Sequence, residues 1–433
     1  MTASPLSATG ISLSPLRRAA LIAAIFNPAT VIFLSSNVAN AGNLVFNMLF
    51  SRWLGPEQYG DLAVILTLKL SVLAVLNAVQ MAVTQTLATR RDADTGAGGV
   101  NRLNRVLFVA LVLLLPLALP AAMTDAVTHG LGLGSATLLP VLIFALPVTA
   151  PLCVGRGVAQ GQLSVRRLVL SANLEMAVRL GGSIVLWQAG FGLHGVVAAV
   201  AASLLAGWLP LRAQMQVRSD TPQDWAVARG IAVTALPFAV LQVAQVALLD
   251  GDILAAQSLL APQDAGLLAG LALMQRILFF SCFGLSVVLL PTVAAAVAQG
   301  RSAIRPGLPV AVLFVAVSTA ALLAAGFAPV ATVSLVAGSG FADVAPLLLM
   351  ATGSAVAFTF SYLAATFLMA LQSRQGIGVV AACVPVLFAA LFASRDPSGQ
   401  ATLAGIVGTK LAVQSGLALV LAALVLRRIS RSA

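Results

Sequence analysis

The sequence predicts an all-α polytopic membrane protein, and three observations carry that prediction. The chain of 433 residues is 60% hydrophobic and only 9% charged, whereas soluble proteins average roughly 25% charged residues. Its mean hydropathy is +1.02. Apolar runs long enough for a helical crossing, roughly 20 residues each, follow one another through almost the whole chain. No hydrophilic stretch is long enough to form a separate soluble domain, so any function must reside in the membrane or on short loops.

The elements can be taken in order. Residues 1–29 hold Arg17-Arg18 and a short apolar run from Ala19 to Phe26, which Asn27-Pro28 interrupts. That interruption favours a cytoplasmic segment with an interfacial helix over a secretory signal cleaved near Ala39-Asn40-Ala41. Crossings are expected near 30–50, 60–89, 106–124, 138–155, 168–189, 195–211, 230–250, 266–296, 308–328, 345–370, 377–394 and 401–426. That makes about twelve transmembrane helices. They divide into an amino-terminal six-helix lobe (30–213), a cytoplasmic linker (214–229), a carboxy-terminal six-helix lobe (230–426) and a basic cytoplasmic tail (427–433).

The division rests on a duplication. Leu54-Gly-Pro-Glu-Gln-Tyr-Gly60 has a fainter copy in Leu260-Ala-Pro-Gln-Asp-Ala-Gly266, displaced by 206 residues. The same register aligns Val106-Leu-Phe-Val-Ala110 with the identical Val312-Leu-Phe-Val-Ala316. Repeats of this kind mark transporter halves, with cargo handled between them. An even number of crossings per repeat returns the chain to the same face, so the lobes should be parallel copies around a central cavity.

Arginine gives the orientation. The even-numbered junctions collect Arg90, Arg91, Arg102 and Arg105, then Arg156, Arg166 and Arg167, then Arg212, Arg218 and Arg229, then Arg301 and Arg305, and finally Arg374. The terminal segments add Arg17, Arg18, Arg427, Arg428 and Arg431, while Arg52 and Arg395 alone fall on the acidic opposite side with Glu57, Asp125, Asp264, Asp343 and Asp396. The positive-inside rule places both termini in the cytoplasm. It also accounts for the net charge of +11 without nucleic acid, because the cations lie in small groups between apolar runs.

Arg52-Trp-Leu-Gly-Pro-Glu-Gln-Tyr-Gly60, leading from a first span with spaced asparagines into a second, resembles the polysaccharide-biosynthesis flippases. These are O-antigen-type members of the multidrug, oligosaccharidyl-lipid and polysaccharide exporter superfamily. Pro237, Asp250, Asp252 and Leu290-Pro291 extend the resemblance into the second half, although Ala265 stands where an aromatic like Tyr59 is more typical. The resemblance implies a transporter, not an enzyme. Its cargo would be an oligosaccharide on a polyprenyl diphosphate, flipped to the outer leaflet of a bacterial inner membrane for surface polysaccharides. It further implies contact with membrane lipids and with polysaccharide polymerase machinery. By themselves, the residues of the loop point to scaffolding: the glycines and Pro56 set backbone shape, and Glu57 suits a helix start.

Charges inside the membrane are the candidate functional residues, since each costs about 2.5–3.5 kcal/mol to insert. Lys69, Arg179, Arg276 and Lys410 are the cations within spans, and Glu175 is the embedded acid. Glu175 and Arg179, spaced i, i+4, can pair on one helix face. Lys69, Arg276 and Lys410 have no carboxylate nearby in the sequence. Surplus fixed cations suit an anionic diphosphate, so these five residues form the candidate substrate-binding set, Lys69 and Arg276 foremost. Asp250 and Asp252, expected near the outer end of the seventh span, are either solvated acids or ion-coupling groups.

Two rival readings are a multidrug cation antiporter of the same superfamily and, more distantly, a membrane-embedded polymerase or ligase. The antiporter should carry more unpaired acids than cations, and the polymerase a large external loop; the sequence has neither. Asp250-Gly-Asp252 and Gly130-Leu-Gly-Leu-Gly134 imitate nucleotide motifs without the required context. Cys153, Cys282 and Cys383 lie in apolar runs and show no metal-ligand spacing. No metal or cofactor is expected.

Overall fold

The computed structural model describes residues 28–89, 93–162, 164–215, 221–299, 301–396, 399 and 401–430. The interfacial helix expected around Ala19 to Phe26 lies outside them, as do Arg90, Arg91 and Arg218.

Ten helices among the described residues are long and apolar enough to cross a membrane, and two of these are double-length: Asn37–Ala88 with 52 residues and Val165–Ala213 with 49. Glycine divides each. Gly55, at φ 71° and ψ 177°, adopts a conformation that side-chain-bearing residues avoid. It separates α1 (28–54) from α2 (56–89). Gly190, at φ 86°, likewise ends α5 (165–189) before α6 (Gly192–Trp208). The remaining crossings are α3 (Ala93–Ala122), α4 (Leu138–Gly161), α7 (Pro222–Leu259), α8 (Pro262–Ala298), α9 (Ile304–Phe327), α10 (Leu348–Ala370), α11 (Gln375–Ala393) and α12 (Leu403–Ser430). The all-helical architecture of about twelve crossings is therefore as the sequence predicts.

Element ends differ where local capping overrides hydropathy. α7 begins inside the segment expected to be a linker, because Thr221 and Asp224 form a capping box at its amino terminus. The Asp224 carboxylate accepts from the Thr221 amide at 2.8 Å, and Thr221 Oγ1 accepts from the Asp224 amide at 3.3 Å. At its other end α7 continues to Leu259, which moves Asp250 and Asp252 inside the helix.

The duplication is visible in space. Pro56 and Pro262 open α2 and α8 at the same 206-residue offset, and the two helices touch through equivalent glycines. A Cβ on Gly60 would lie 3.0 Å from Gly266 Cα, and one on Gly266 only 2.0 Å from the Pro56 carbonyl oxygen. Small residues permit that backbone approach. Both helices leave the contact in the same direction, since Thr67 of α2 meets Arg276 of α8 farther along.

The face holding this contact is poor in arginine, and its loops clamp the halves together. Tyr59 is fully buried; its hydroxyl donates to Asn47 Oδ1 at 3.1 Å and its ring meets Phe341 edge-on, with centroids 5.9 Å apart. Arg52 donates to the carbonyls of Ser334, Leu335 and Val336, which end the short helix Pro329–Val336. Cations favour that end of a helix. At the opposite, arginine-rich face, the Arg102 guanidinium lies 3.9 Å above the Trp225 ring, joining the starts of α3 and α7.

Candidate functional site

Each half holds a buried charge network deep in its helices. In the first half Glu175, on α5, is shared by three cations from three helices. Lys69 Nζ, on α2, lies 3.3 Å from Glu175 Oε1, and Arg156 Nη2, on α4, lies 2.8 Å from Oε2. Arg179 also binds Oε1 and reaches Asn43 of α1. Ser171 completes the shell: it accepts from Arg156 Nε at 2.9 Å and donates to the Gly207 carbonyl at 2.7 Å.

Local helix geometry positions these groups. Lys69 sits about 20 Å beyond the start of α2 at 1.5 Å per residue, hence near mid-membrane. Arg179 belongs to a wider, π-helical turn, Val178–Gly182, of the kind that recurs at functional sites because it redirects side chains. Its Nε is buried with no hydrogen-bond partner among the described residues. One carboxylate facing three cations leaves a surplus of two positive charges.

The second half is balanced. Arg276 Nε donates to Asp250 Oδ1 at 2.7 Å. Lys410 Nζ lies 2.7 Å from Asp252 Oδ1, an ion pair that is off the hydrogen-bond direction. That ammonium donates instead to the Leu249 carbonyl at 2.7 Å and to Gln275 Oε1 at 2.6 Å. Gln414 ties α12 to the Leu248 carbonyl at 2.7 Å. Two cations and two carboxylates cancel here, and Asp250, Asp252 and Lys410 are each 1% exposed.

A hydrogen bond also joins the halves at this depth. Arg276 Nη2 donates to Thr67 Oγ1 at 3.1 Å. Thr67 and Lys69 are separated by about 200° around α2, so α2 presents Thr67 to the second half and Lys69 to the first.

Several expectations require correction. Lys69, Arg276 and Lys410 are not without carboxylates; each is paired across helices, Lys69 with a partner 106 residues away. A local sequence search cannot see such partners. Lys69 and Arg276 lie on opposite sides of α2. Asp250 and Asp252 are neither terminal nor solvated, because α7 extends to Leu259 and encloses them. The Glu175–Arg179 pair is present but belongs to a larger cluster. Sequence reasoning missed Arg156, which was grouped with junction arginines although Glu175 holds it inside the protein. Its spacing within α4, five residues before Gly161, was the available signal.

The two histidines have hydrogen-bond partners close by. His194 Nε2 shares a hydrogen bond with Thr137 Oγ1 at 2.8 Å, and His129 Nδ1 lies 2.8 Å from the Asp125 carbonyl. The three cysteines are free and buried. No group of three or more His, Cys, Asp or Glu side chains among the described residues could hold a metal ion.

No protein-family model and no curated protein matches the sequence. Solved structures do match. An inward-facing multidrug resistance MATE family transporter of the MOP superfamily superposes with a TM-score of 0.77 at 16% identity, over 91% of this chain and 95% of that one. An outward-facing MATE structure gives 0.65 at 16% identity, over 94% of each chain. A MOP superfamily transporter from Pyrococcus furiosus, described by a reverse polarity of its binding pocket that suggests a different function, gives 0.66 at 15% identity, again over 94% of each. Through nearly its whole length the chain has the fold of MATE transporters of the MOP superfamily.

Proposed function

We propose that the chain is a membrane transporter that works by alternating access of its two halves and carries an anionic amphiphile, a polyprenyl-diphosphate-linked oligosaccharide. The observation that carries this reading is the uncancelled charge at Glu175: buried Lys69 and the partly buried Arg156 and Arg179 share one carboxylate. A diphosphate can take up the donors left over, among them Arg179 Nε and the remaining protons of Lys69. With the arginine-rich face in the cytoplasm, moving two negative charges outward releases roughly 4.6 kcal/mol per 100 mV. Membrane potential then drives transport, and Asp250 and Asp252 serve as neutralising partners of Arg276 and Lys410.

The second reading is a multidrug exporter. It is favoured by the comparisons, in which matching solved structures are described as multidrug resistance transporters. Reconstituted liposomes separate the two. The proposed function requires faster translocation of a polyprenyl-diphosphate oligosaccharide, reduced by Lys69→Gln, with no export of a lipophilic cation. Cation export without lipid translocation would establish the multidrug reading instead.

A further inference from the structure

A groove of about 650 Å³ lies between α5 and the segment Leu209–Met215 that follows α6, lined by Leu170, Asn173, Leu174, Ala177, Leu209, Pro210 and Arg212. Leu170 and Leu209 are each 47% exposed, so the groove opens toward the bilayer and away from the protein interior. The charge network occupies the other side of α5, where Glu175 engages α2 and α4. Leu170, Leu174 and Ala177 recur at helical spacing and form one stripe. One turn earlier on that stripe, at the arginine-rich end, stands exposed Arg166; Arg212 arrives at the same end from the segment after α6.

Among the described residues neither arginine is paired with an acid. Between Thr149 and Met215 Glu175 is the single carboxylate, and it is already shared by Lys69, Arg156 and Arg179. Asn173 does not compete for a ligand either, since its amide donates to Ser35 Oγ of α1 at 2.6 Å and to the Val169 carbonyl at 2.9 Å. The groove therefore has an apolar body and a cationic mouth at membrane-surface depth.

We infer that this groove binds one anionic phospholipid from the leaflet at the arginine-rich face. Its phosphate sits between Arg166 and Arg212, and an acyl chain runs over Leu170, Leu174 and Leu209. Charge selects the occupant: guanidinium groups take phosphate oxygens bidentately, and a zwitterionic headgroup brings its own cation to a mouth that already holds two. The transported lipid is a poor fit, because its headgroup must reach donors that lie behind α5.

Native mass spectrometry of purified protein titrated with phosphatidylglycerol or phosphatidylcholine tests the site. Wild type is expected to retain one phosphatidylglycerol, about thirtyfold in preference to phosphatidylcholine, as expected for two cations near a membrane surface. The double variant Arg166→Gln/Arg212→Gln should bring the ratio near one. Ala177→Phe should reduce phosphatidylglycerol retention with both arginines intact. Equal retention of the two lipids by wild type overturns the site without reference to any variant, as does an unchanged preference in the double variant. Elution volume and Tm confirm that the variants are folded. The readout is independent of cargo, so it stands apart from the transport assay.

Discussion

Glu175 is the residue on which the first-half network depends. Removing one cation leaves it two others, whereas removing its charge leaves Lys69, Arg156 and Arg179 with none among the described residues. Breaking a buried pair by deleting one partner costs about 3–5 kcal/mol. Glu175→Gln should therefore lower Tm strongly, and Lys69→Gln should be much milder, since Arg156 and Arg179 still hold the carboxylate. Thermal unfolding in detergent compares them; equal Tm values for Glu175→Gln and wild type would remove the structural role assigned to this carboxylate. The second half should behave differently because its pairs are balanced. Asp252→Asn and Lys410→Met should each destabilise, and the double variant should recover part of the loss, a coupling that a double-mutant cycle measures. Strictly additive losses would mean that Lys410 is held by Gln275 and the Leu249 carbonyl alone.

The α2–α8 contact shows how one atom sets the distance between helices. A methyl group on Gly266 would fall 2.0 Å from the Pro56 carbonyl oxygen, while one at Gly284, on the same helix, meets nothing within 4 Å. Gly266→Ala should therefore part α2 from α8 and cost several kcal/mol, as overpacking does. Gly284→Ala should be neutral or slightly stabilising, given the roughly 1 kcal/mol helix preference of Ala over Gly. Unfolding midpoints of the two variants decide the matter, and similar values would show that the helices part easily. Much at this scale was legible in the sequence: the Leu54-to-Gly60 motif announced the break, and its copy announced the repeat. The ends of α7 were not, because a capping box at Thr221 and continued helix beyond Asp250 carry no hydropathy signal. Nor was the pairing of Lys69 with Glu175 or of Lys410 with Asp252, since helix neighbours across the bundle are set by packing and not by spacing. The charges themselves were found; their partners needed three dimensions.

Across the whole molecule, the halves are joined both at the arginine-poor face and at the depth of the charge networks. Arg52 gathers three carbonyls at the end of Pro329–Val336, and Arg276 reaches Thr67 across the halves. Arg52→Ala should lengthen the separation between spin labels at Trp53 and Leu335 in part of the population, as measured by pulsed electron resonance. An unchanged distance distribution would show that Tyr59, Phe341 and the glycine contact hold that face without Arg52.

The meeting of Gly60 with Gly266 also carries history. A position that touches its own copy lies on the symmetry axis, and in a dimer of identical subunits every substitution there would confront itself. Any charge would likewise appear twice. Lys69 faces Glu175 in one half, yet its counterpart Gln275 binds Lys410 in the other, so the two halves now perform different electrostatic tasks. On one polypeptide each of these two positions can change without its copy, whereas the glycine seam is the same from both sides.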